Sequence, residues 1–280
     1  MTVHKLNFSI NHTTIILGAF LILTQMGLSQ NNIKFTHIRH ATSIIEINNK
    51  KILIDPMLSD KDSLASVGTS DNTLRNPRTN LPFSIEHIVE NLNYLLLTHL
   101  HFDHFDQKAI NEIPKQTNIL CSLSDSKKIK ELGFTSIYPI NNDVEIDGLK
   151  IKIYSAIHGI GILKFMMGKG SSFLIDHKGF KIFITGDCIL NNALKTNLLE
   201  ANPDVVIANG GAAKLKFGKP ITMSANDIQE ISSMLKDAKI ILCHLDALNH
   251  CPESKEFCKE TLKNSTNIII PNDGETIKLQ

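Results

Sequence analysis

Apolar runs of strand length recur along the chain, separated by stretches with helical spacing. SIIEI at 43–47 and KILI at 51–54 flank NNK, a tight-hairpin signal. YLLLT at 94–98 is continuously apolar, the pattern of a strand covered on both faces. IKIYSA at 151–156, SSFLI at 171–175, KIFIT at 181–185, DVVIAN at 204–209, KIILC at 239–243 and NIII at 267–270 read the same way. The clearest helix is 224–236. Ser224 stands at its N-cap with Asp227 three residues on, and Ile228, Ile231 and Leu235 recur on one face. Further helices are predicted at 84–91, 125–132 and 191–200. Strands outnumber helices and many are apolar on both faces. The pattern therefore predicts an α/β sandwich, two sheets inside and helices outside, as one domain over 30–280 without a linker. Two connections stand out. The segment 57–82 is long and rich in Ser, Asp, Asn, Arg and Pro. The segment 158–170, HGIGILKFMMGKG, mixes glycines with large apolar residues and reads as a mobile apolar lid or a buried connector.

Composition narrows the function more than the fold. With 280 residues, 42% hydrophobic and 20% charged, the chain can build a substantial core. A formal net charge of +1 gives no basic footprint for nucleic acid. The absence of Trp and the scarcity of other aromatics remove a base-stacking platform. A small-molecule substrate is the remaining expectation. At the N-terminus, Lys5, the apolar run IILGAFLILT at 15–24 and GLS at 27–29 have the layout of a secretory signal peptide. The run is shorter than the ~20 residues a membrane span needs. The expectation is a signal at 1–29, a mature chain from about Gln30 that is periplasmic or secreted, and no stable membrane insertion after cleavage. An uncleaved anchor is the alternative. The five cysteines fit neither a disulfide framework nor a zinc ribbon. Cys251 and Cys258 are the nearest candidates for a pair, and buried free thiols are the expected state for most.

The chemistry concentrates in THLHFDHFD at 98–106, which places three histidines and two aspartates directly after a buried strand. A strand end is a rigid place to mount ligands. His99 and His101 are two apart and point the same way in an extended chain. Asp103 and His104 follow where the chain must turn. Neutral imidazoles with a carboxylate suit zinc, and also iron or manganese. A polar surface loop is the bland alternative.

H-x-H-x-D-H after an apolar strand resembles the signature of the metallo-β-lactamase superfamily of metallohydrolases. The match continues in order through LIDP at 53–56, AIHG with His158, ITGD at 184–187 and ILCH with His244, and covers 33–280. RHATSIIEINNKKILIDPMLSD resembles the branch that includes ascorbate-6-phosphate lactonase and the N-acyl phosphatidylethanolamine phospholipase D enzymes. GGAAKLKFGKPITMSANDI and HLDALNHC resemble a narrower set of uncharacterised bacterial members, which brings no substrate with it.

The resemblance implies a four-layer αββα sandwich and two metal sites. His99, His101 and His158 would hold one metal, and Asp103, His104 and His244 the other. Asp187 would bridge them, and Asp55 would fix a ligand through a hydrogen bond. The implied cofactor is zinc, two ions, with manganese or iron as alternatives. The implied reaction is attack by a metal-shared hydroxide on an ester, lactone, amide or phosphodiester. Asp103 would orient that hydroxide and pass its proton to the leaving group. An iron-dependent dioxygenase or oxidoreductase on the same fold, and a non-catalytic metal-binding protein, are the competing classes. Cys188 and Cys243 adjoin expected ligands and should face away from them, as strand neighbours do. His40, Asn249 and His250 are candidates for substrate contact. Arg75 and Arg78 are candidates for an anionic substrate group, and Lys214, Lys216 and Lys219 form a solvated patch.

Overall fold

The apolar runs pair into two seven-stranded sheets in the computed structural model, which describes residues 32–67 and 72–280. The leader expected at 1–29 lies outside the described residues. The first sheet holds β1 (Ile33–Arg39), β2 (Thr42–Ile47), β3 (Lys50–Ile54), β4 (Tyr94–Leu96), β5 (Asn118–Ser122) and β6 (Ile137–Ile140) in sequence order, and β14 (Thr276–Lys278) returns to pair with β1. The second holds β7 (Asp143–Ile146), β8 (Leu149–Ala156), β9 (Gly170–His177), β10 (Phe180–Ile184), β11 (Val205–Asn209), β12 (Lys239–Cys243) and β13 (Ile268–Ile269). Both sheets are mixed in the same way. β1 to β3 and β7 to β10 are antiparallel, whereas β3 to β6 and β10 to β13 are parallel. The NNK hairpin forms as read, with Ile47 opposite Lys50 and Asn48 at φ 55°.

Side-chain alternation sorts the apolar residues into layers. Ile52 and Ile54 of β3, Leu96 of β4, Ile151 of β8, Ile182 and Ile184 of β10 and Ile241 of β12 meet between the sheets. Leu53, Leu95 and Ile119 face outward against Ile88, Ala109 and Ile129. Those three sit on α1 (Ile85–Val89), α2 (Gln107–Glu112) and α3 (Ser126–Glu131). Phe183, Val206, Ile240 and Leu242 face outward on the other side against Leu194, Leu198, Ile228 and Ile231. These sit on α5 (Asn192–Ala201) and α6 (Ala225–Met234). α7 (Lys255–Thr261) adds Cys258 to the same layer. The result is the αββα sandwich. Continuous apolar runs such as YLLLT follow from it, because both faces of a central strand are covered.

Helix ends obey their capping chemistry. Ser224 and Asp227 form a reciprocal capping box at α6, and Asn191 accepts from the Leu194 amide at α5. The long connection 57–82 is ordered through its described parts by buried charge. The Arg39 guanidinium donates to the carbonyls of Thr79 (2.9 Å), Met57 (2.8 Å) and Ser59 (2.6 Å). The apolar segment after His158 folds into α4 (Ile162–Met166). Its Leu163 is buried with Leu215, Ile221 and Leu248, while Ile162 and Phe165 are 71% and 82% exposed. It is therefore a short, mostly exposed helix anchored by Leu163, with Met167 half-buried beside it, rather than a buried connector. All five cysteines are free and buried, so the pairing considered for Cys251 and Cys258 is not formed. No helix among the described residues is long and apolar enough to cross a membrane.

Candidate metal centre

The parallel strands of both sheets end at one place, and the expected ligands lie at those ends. Asp55 follows β3, His99 lies just past β4, Asp187 follows β10 and His244 follows β12. Crevices outside the carboxyl ends of strands are where α/β sheets bind ligands. The stretch 98–106 divides its work residue by residue. The Thr98 amide donates to Asp55 Oδ1 (2.8 Å) and its hydroxyl to Asp55 Oδ2 (2.6 Å). The chain turns at 101–105, where the amides of His104 and Phe105 donate to the His101 carbonyl at 3.0 and 2.9 Å. Phe105 is buried against the outer core. Asp106 caps α2 through Oδ1, accepting from Ala109 at 2.7 Å, and accepts from the Ser59 amide through Oδ2 at 2.7 Å. The second aspartate of the stretch is thus architectural, and the first faces the imidazoles.

Gly186 delivers Asp187. Its φ is 59°, and a Cβ there would stand 2.6 Å from the Ser171 carbonyl oxygen and 3.0 Å from Thr98 Cβ. Only glycine fits so tight a left-handed turn. The Asn209 amide then donates to Asp187 Oδ1 at 2.9 Å and fixes the carboxylate plane.

The donor atoms fall into overlapping groups, each lying within 4.8 Å. His99, His101 and His158 form one; His40, Asp103, His104 and His244 form a second; Asp187 joins His99 and His104 in a third. Asp187 stands between the first two. Its Oδ1 is 3.3 Å from His104 Nε2, and its Oδ2 is 3.2 Å from His244 Nε2 and 3.7 Å from His158 Nε2. Asp103 Oδ2 is 3.7 Å from both His104 Nε2 and His244 Nε2.

The hydrogen bonds behind these imidazoles fix which nitrogen is free. His158 Nδ1 donates to the Ile221 carbonyl at 2.7 Å, so Nε2 faces inward without a proton in the neutral ring. The single Thr98 hydroxyl proton goes to Asp55, so His99 Nδ1 must donate to that hydroxyl at 3.1 Å and its Nε2 is the free one. That Nε2 lies 3.0 Å from His101 Nδ1. His104 Nδ1 donates to Asp55 Oδ2 at 2.8 Å, and His104 Nε2 is buried with no hydrogen-bond partner, as is His244 Nε2. Asp55 therefore orients His104 directly and His99 through Thr98.

Electrostatics point the same way. Burial would raise the Asp103 and Asp187 carboxyls, yet the surrounding imidazoles hold both well below the ordinary range. Burial would lower His104, but Asp187, Asp103 and Asp55 outweigh it and push it up to about 10. His244 is raised in the same way, chiefly by Asp187. His99 and His158 are lowered by burial and stay neutral. The buried carboxylates thus require positive charge between them, and orphaned imidazole nitrogens point at that space. This donor set fits divalent cations.

Other residues singled out in the sequence take different places. His40 is fully buried beside Asp103 and His244 instead of at a substrate-facing edge. Asn249 clamps the long loop. Its Oδ1 accepts from the Val67 amide and from Asn76 Nδ2, both at 2.9 Å, and its own amide donates to the Asn72 carbonyl at 3.0 Å. His250 lines a cavity of about 250 Å³ with Arg78, Lys214 and Cys251. Burial pushes its imidazole down to about 4. Arg75 donates to the carbonyls of Asp62 and Ser63, both at 2.6 Å, and so serves its own loop. Lys214, Lys216 and Lys219 are exposed. Cys188 packs under α5 and α6 and Cys243 between the sheets, both facing away from the donors as expected. Thr98, Asn209, Arg39 and Cys251 were not readable as parts of the site. Cys251 Sγ lies 3.8 Å from His244 Nδ1.

Comparison with known proteins agrees with this geometry. The family model described as beta-lactamase superfamily domain matches residues 34–244. UPF0173 protein YddR of Bacillus subtilis is 34% identical over 249 residues, spanning 86% of this chain and 98% of that protein. The crystal structure of a possible metal-dependent hydrolase from Veillonella parvula superposes with a TM-score of 0.85 at 29% identity, covering 88% of this chain and 99% of the other. The structure of an isothiocyanate hydrolase from Delia radicum gut bacteria gives 0.83 at 30% identity, covering 87% and 98%. None of these three carries the name of either enzyme of the branch that the RHAT segment resembles. The chain belongs to the β-lactamase superfamily domain family and is a metal-dependent hydrolase of the metallo-β-lactamase fold.

Proposed function

We propose that the chain is a dinuclear hydrolase, with zinc as its metal, acting on a small molecule with an apolar part. The observation that carries the two-metal reading is Asp187, whose carboxylate lies within 3.7 Å of imidazoles from both groups, His158 of one and His104 and His244 of the other. His99, His101 and His158 would hold one ion, Asp103, His104 and His244 the other, and Asp187 both. Five histidines and two aspartates are a borderline-soft donor set that suits zinc, with iron and manganese also accommodated. Bound there, divalent cations supply Lewis acidity, which polarises a substrate oxygen and eases deprotonation of water near neutral pH.

The protein's own groups do the rest. The Asp103 carboxylate, ionised and buried, would orient the attacking water and pass its proton on to the leaving group. Asp55 and Thr98 keep His99 and His104 in the tautomers that leave Nε2 free. The exposed apolar side chains of α4 and Phe217 belong to segments joined to His158 through Leu163 and Ile221, and suit a lipophilic substrate body. Esters, lactones, amides and phosphodiesters of that kind are the substrate classes.

The test is metal content after purification without added metal, set against Asp187→Ala. Close to two zinc ions per chain, with metal and turnover lost together in the variant, is the expected result. A fully loaded, fully active variant would sink the assignment, and iron with oxygen consumption would favour an oxidative reaction. A second reading, isothiocyanate hydrolysis, is favoured by the solved relative of that activity and by the exposed apolar side chains of α4. Turnover of an aryl or allyl isothiocyanate above that of lactones and esters would establish it.

A further inference from the structure

His40 sits where two metal donors can be held at once. Its ring is fully buried, and Nε2 lies 3.2 Å from Asp103 Oδ2. A carboxylate only accepts, so the imidazole proton is on Nε2 and points at Asp103. The same ring lies against the imidazole of His244, with centroids 3.7 Å apart and a 37° tilt. The backbone makes a third contact, in which the His244 amide donates to the His40 carbonyl at 2.9 Å. Both residues take left-handed backbone conformations, with φ of 55° and 69°. Such conformations are costly for non-glycine residues and persist where the surroundings over-determine them. The neighbours of His40 are also locked. Arg39 is bound to the three carbonyls described above, and the Thr42 hydroxyl donates to the Asp55 carbonyl at 2.8 Å while accepting from the Met57 amide at 2.9 Å. The segment 39–42 is a fixed wall, and His40 is the part of it that reaches the donors.

These contacts are one-sided. His40 is grouped with Asp103, His104 and His244, and not with His99, His101 and His158. We infer that His40 is a positioning residue for one of the two metal positions, fixing the Asp103 carboxylate by hydrogen bond and the His244 ring by stacking. It is not a ligand, because the nitrogen nearest the donors is spent on Asp103. The inference rests on the two-position reading proposed above. Outer hydrogen-bond partners of metal ligands typically change metal affinity by about 10–100-fold. Here that loss should fall on the Asp103–His104–His244 position alone.

The experiment is stepwise chelation of the zinc-loaded full-length protein, with zinc per chain read by elemental analysis and the cobalt-substituted absorption spectrum followed in parallel. His40→Ala should release one ion at a chelator strength about 10–100-fold below that needed for wild type, while the other ion leaves as in wild type. His40→Gln, whose amide can still donate to Asp103, should recover part of the loss and covers the case in which the alanine variant does not fold. Equal weakening of both ions, or wild-type release of both from both variants, overturns the inference alone. A wild-type chain that binds fewer than two ions overturns the two-position reading and the inference with it.

Discussion

At the scale of single residues, the site depends on groups too small to attract notice. Gly186 is the sharpest case. Gly186→Ala adds a methyl group 2.6 Å from a carbonyl oxygen, at a φ of 59° that side chains rarely adopt. A destabilisation of at least about 2 kcal/mol is expected, with metal content falling as Asp187 is displaced. Urea denaturation and elemental analysis of the variant check this. An unshifted midpoint would mean that the turn absorbs the methyl group. The cluster of candidate donors was legible because most of its members have a rare side chain at or near the end of an apolar run. Thr98 and Asn209 were not, since a threonine or asparagine at a strand end is ordinary and its value comes from partners distant in sequence. His40 was noticed for its motif, but its burial against His244 depends on the two sheets meeting, which no local pattern states.

At the scale of elements, most strands with both faces covered could be read directly, although β5, buried on both faces, was not. β6 and β7 could not, because they are sheet-edge strands carrying Tyr138, Pro139, Asp143 and Glu145 at exposed or half-exposed positions. β1 was missed for another reason. It buries His37 and Arg39 completely, and their partners lie elsewhere in the chain. One of those partners ties three elements together. Asp273, just before β14, lies 3.5 Å from His37 of β1 and is paired with Lys255 at the start of α7. Burial alone would raise the Asp273 carboxyl, but the nearby His37 ring and the Lys255 ammonium outweigh it and hold it at about 2. An unfolded aspartate titrates near 3.9. The folded value is the lower one, so this stabilisation is complete above about pH 4 and is lost as pH falls toward 2. Asp273→Asn should therefore cost up to about 2.5 kcal/mol at neutral pH. The gap from wild type should narrow between pH 4 and 2, as measured by denaturant midpoints across that range. A gap independent of pH would mean that Asp273 acts through shape instead of charge.

At the scale of the whole molecule, the metal donors are divided between the halves. His99, His101, Asp103 and His104 come from the first sheet, and His158, Asp187 and His244 from the second. The two-sheet plan was legible from strand-length apolar runs, and the order of motifs placed candidate donors in both halves. The conformation of the segment after His158 was less legible. HGIGILKFMMGKG left the choice between lid and connector open, because one buried leucine decides it. With Ile162 and Phe165 exposed on α4, replacing both with Ser should leave metal content unchanged. It should also lower kcat/KM for lipophilic substrates by roughly tenfold or more, mostly through KM. Steady-state kinetics on paired lipophilic and polar substrates make the test. An equal effect on both would argue that α4 does not touch substrate.

The order of the donors along the chain has a consequence for how the protein is made. Residues 98–106 emerge during synthesis with their imidazoles and carboxylates already in place, while His158, Asp187 and His244 do not yet exist. For something on the order of ten seconds at ordinary translation rates, the nascent chain is an open chelator. An ion met in that interval would find only four of the seven candidate donors. All seven candidate donors are present together only once His244 is added, so any preference among metals that depends on the full set belongs to the finished chain.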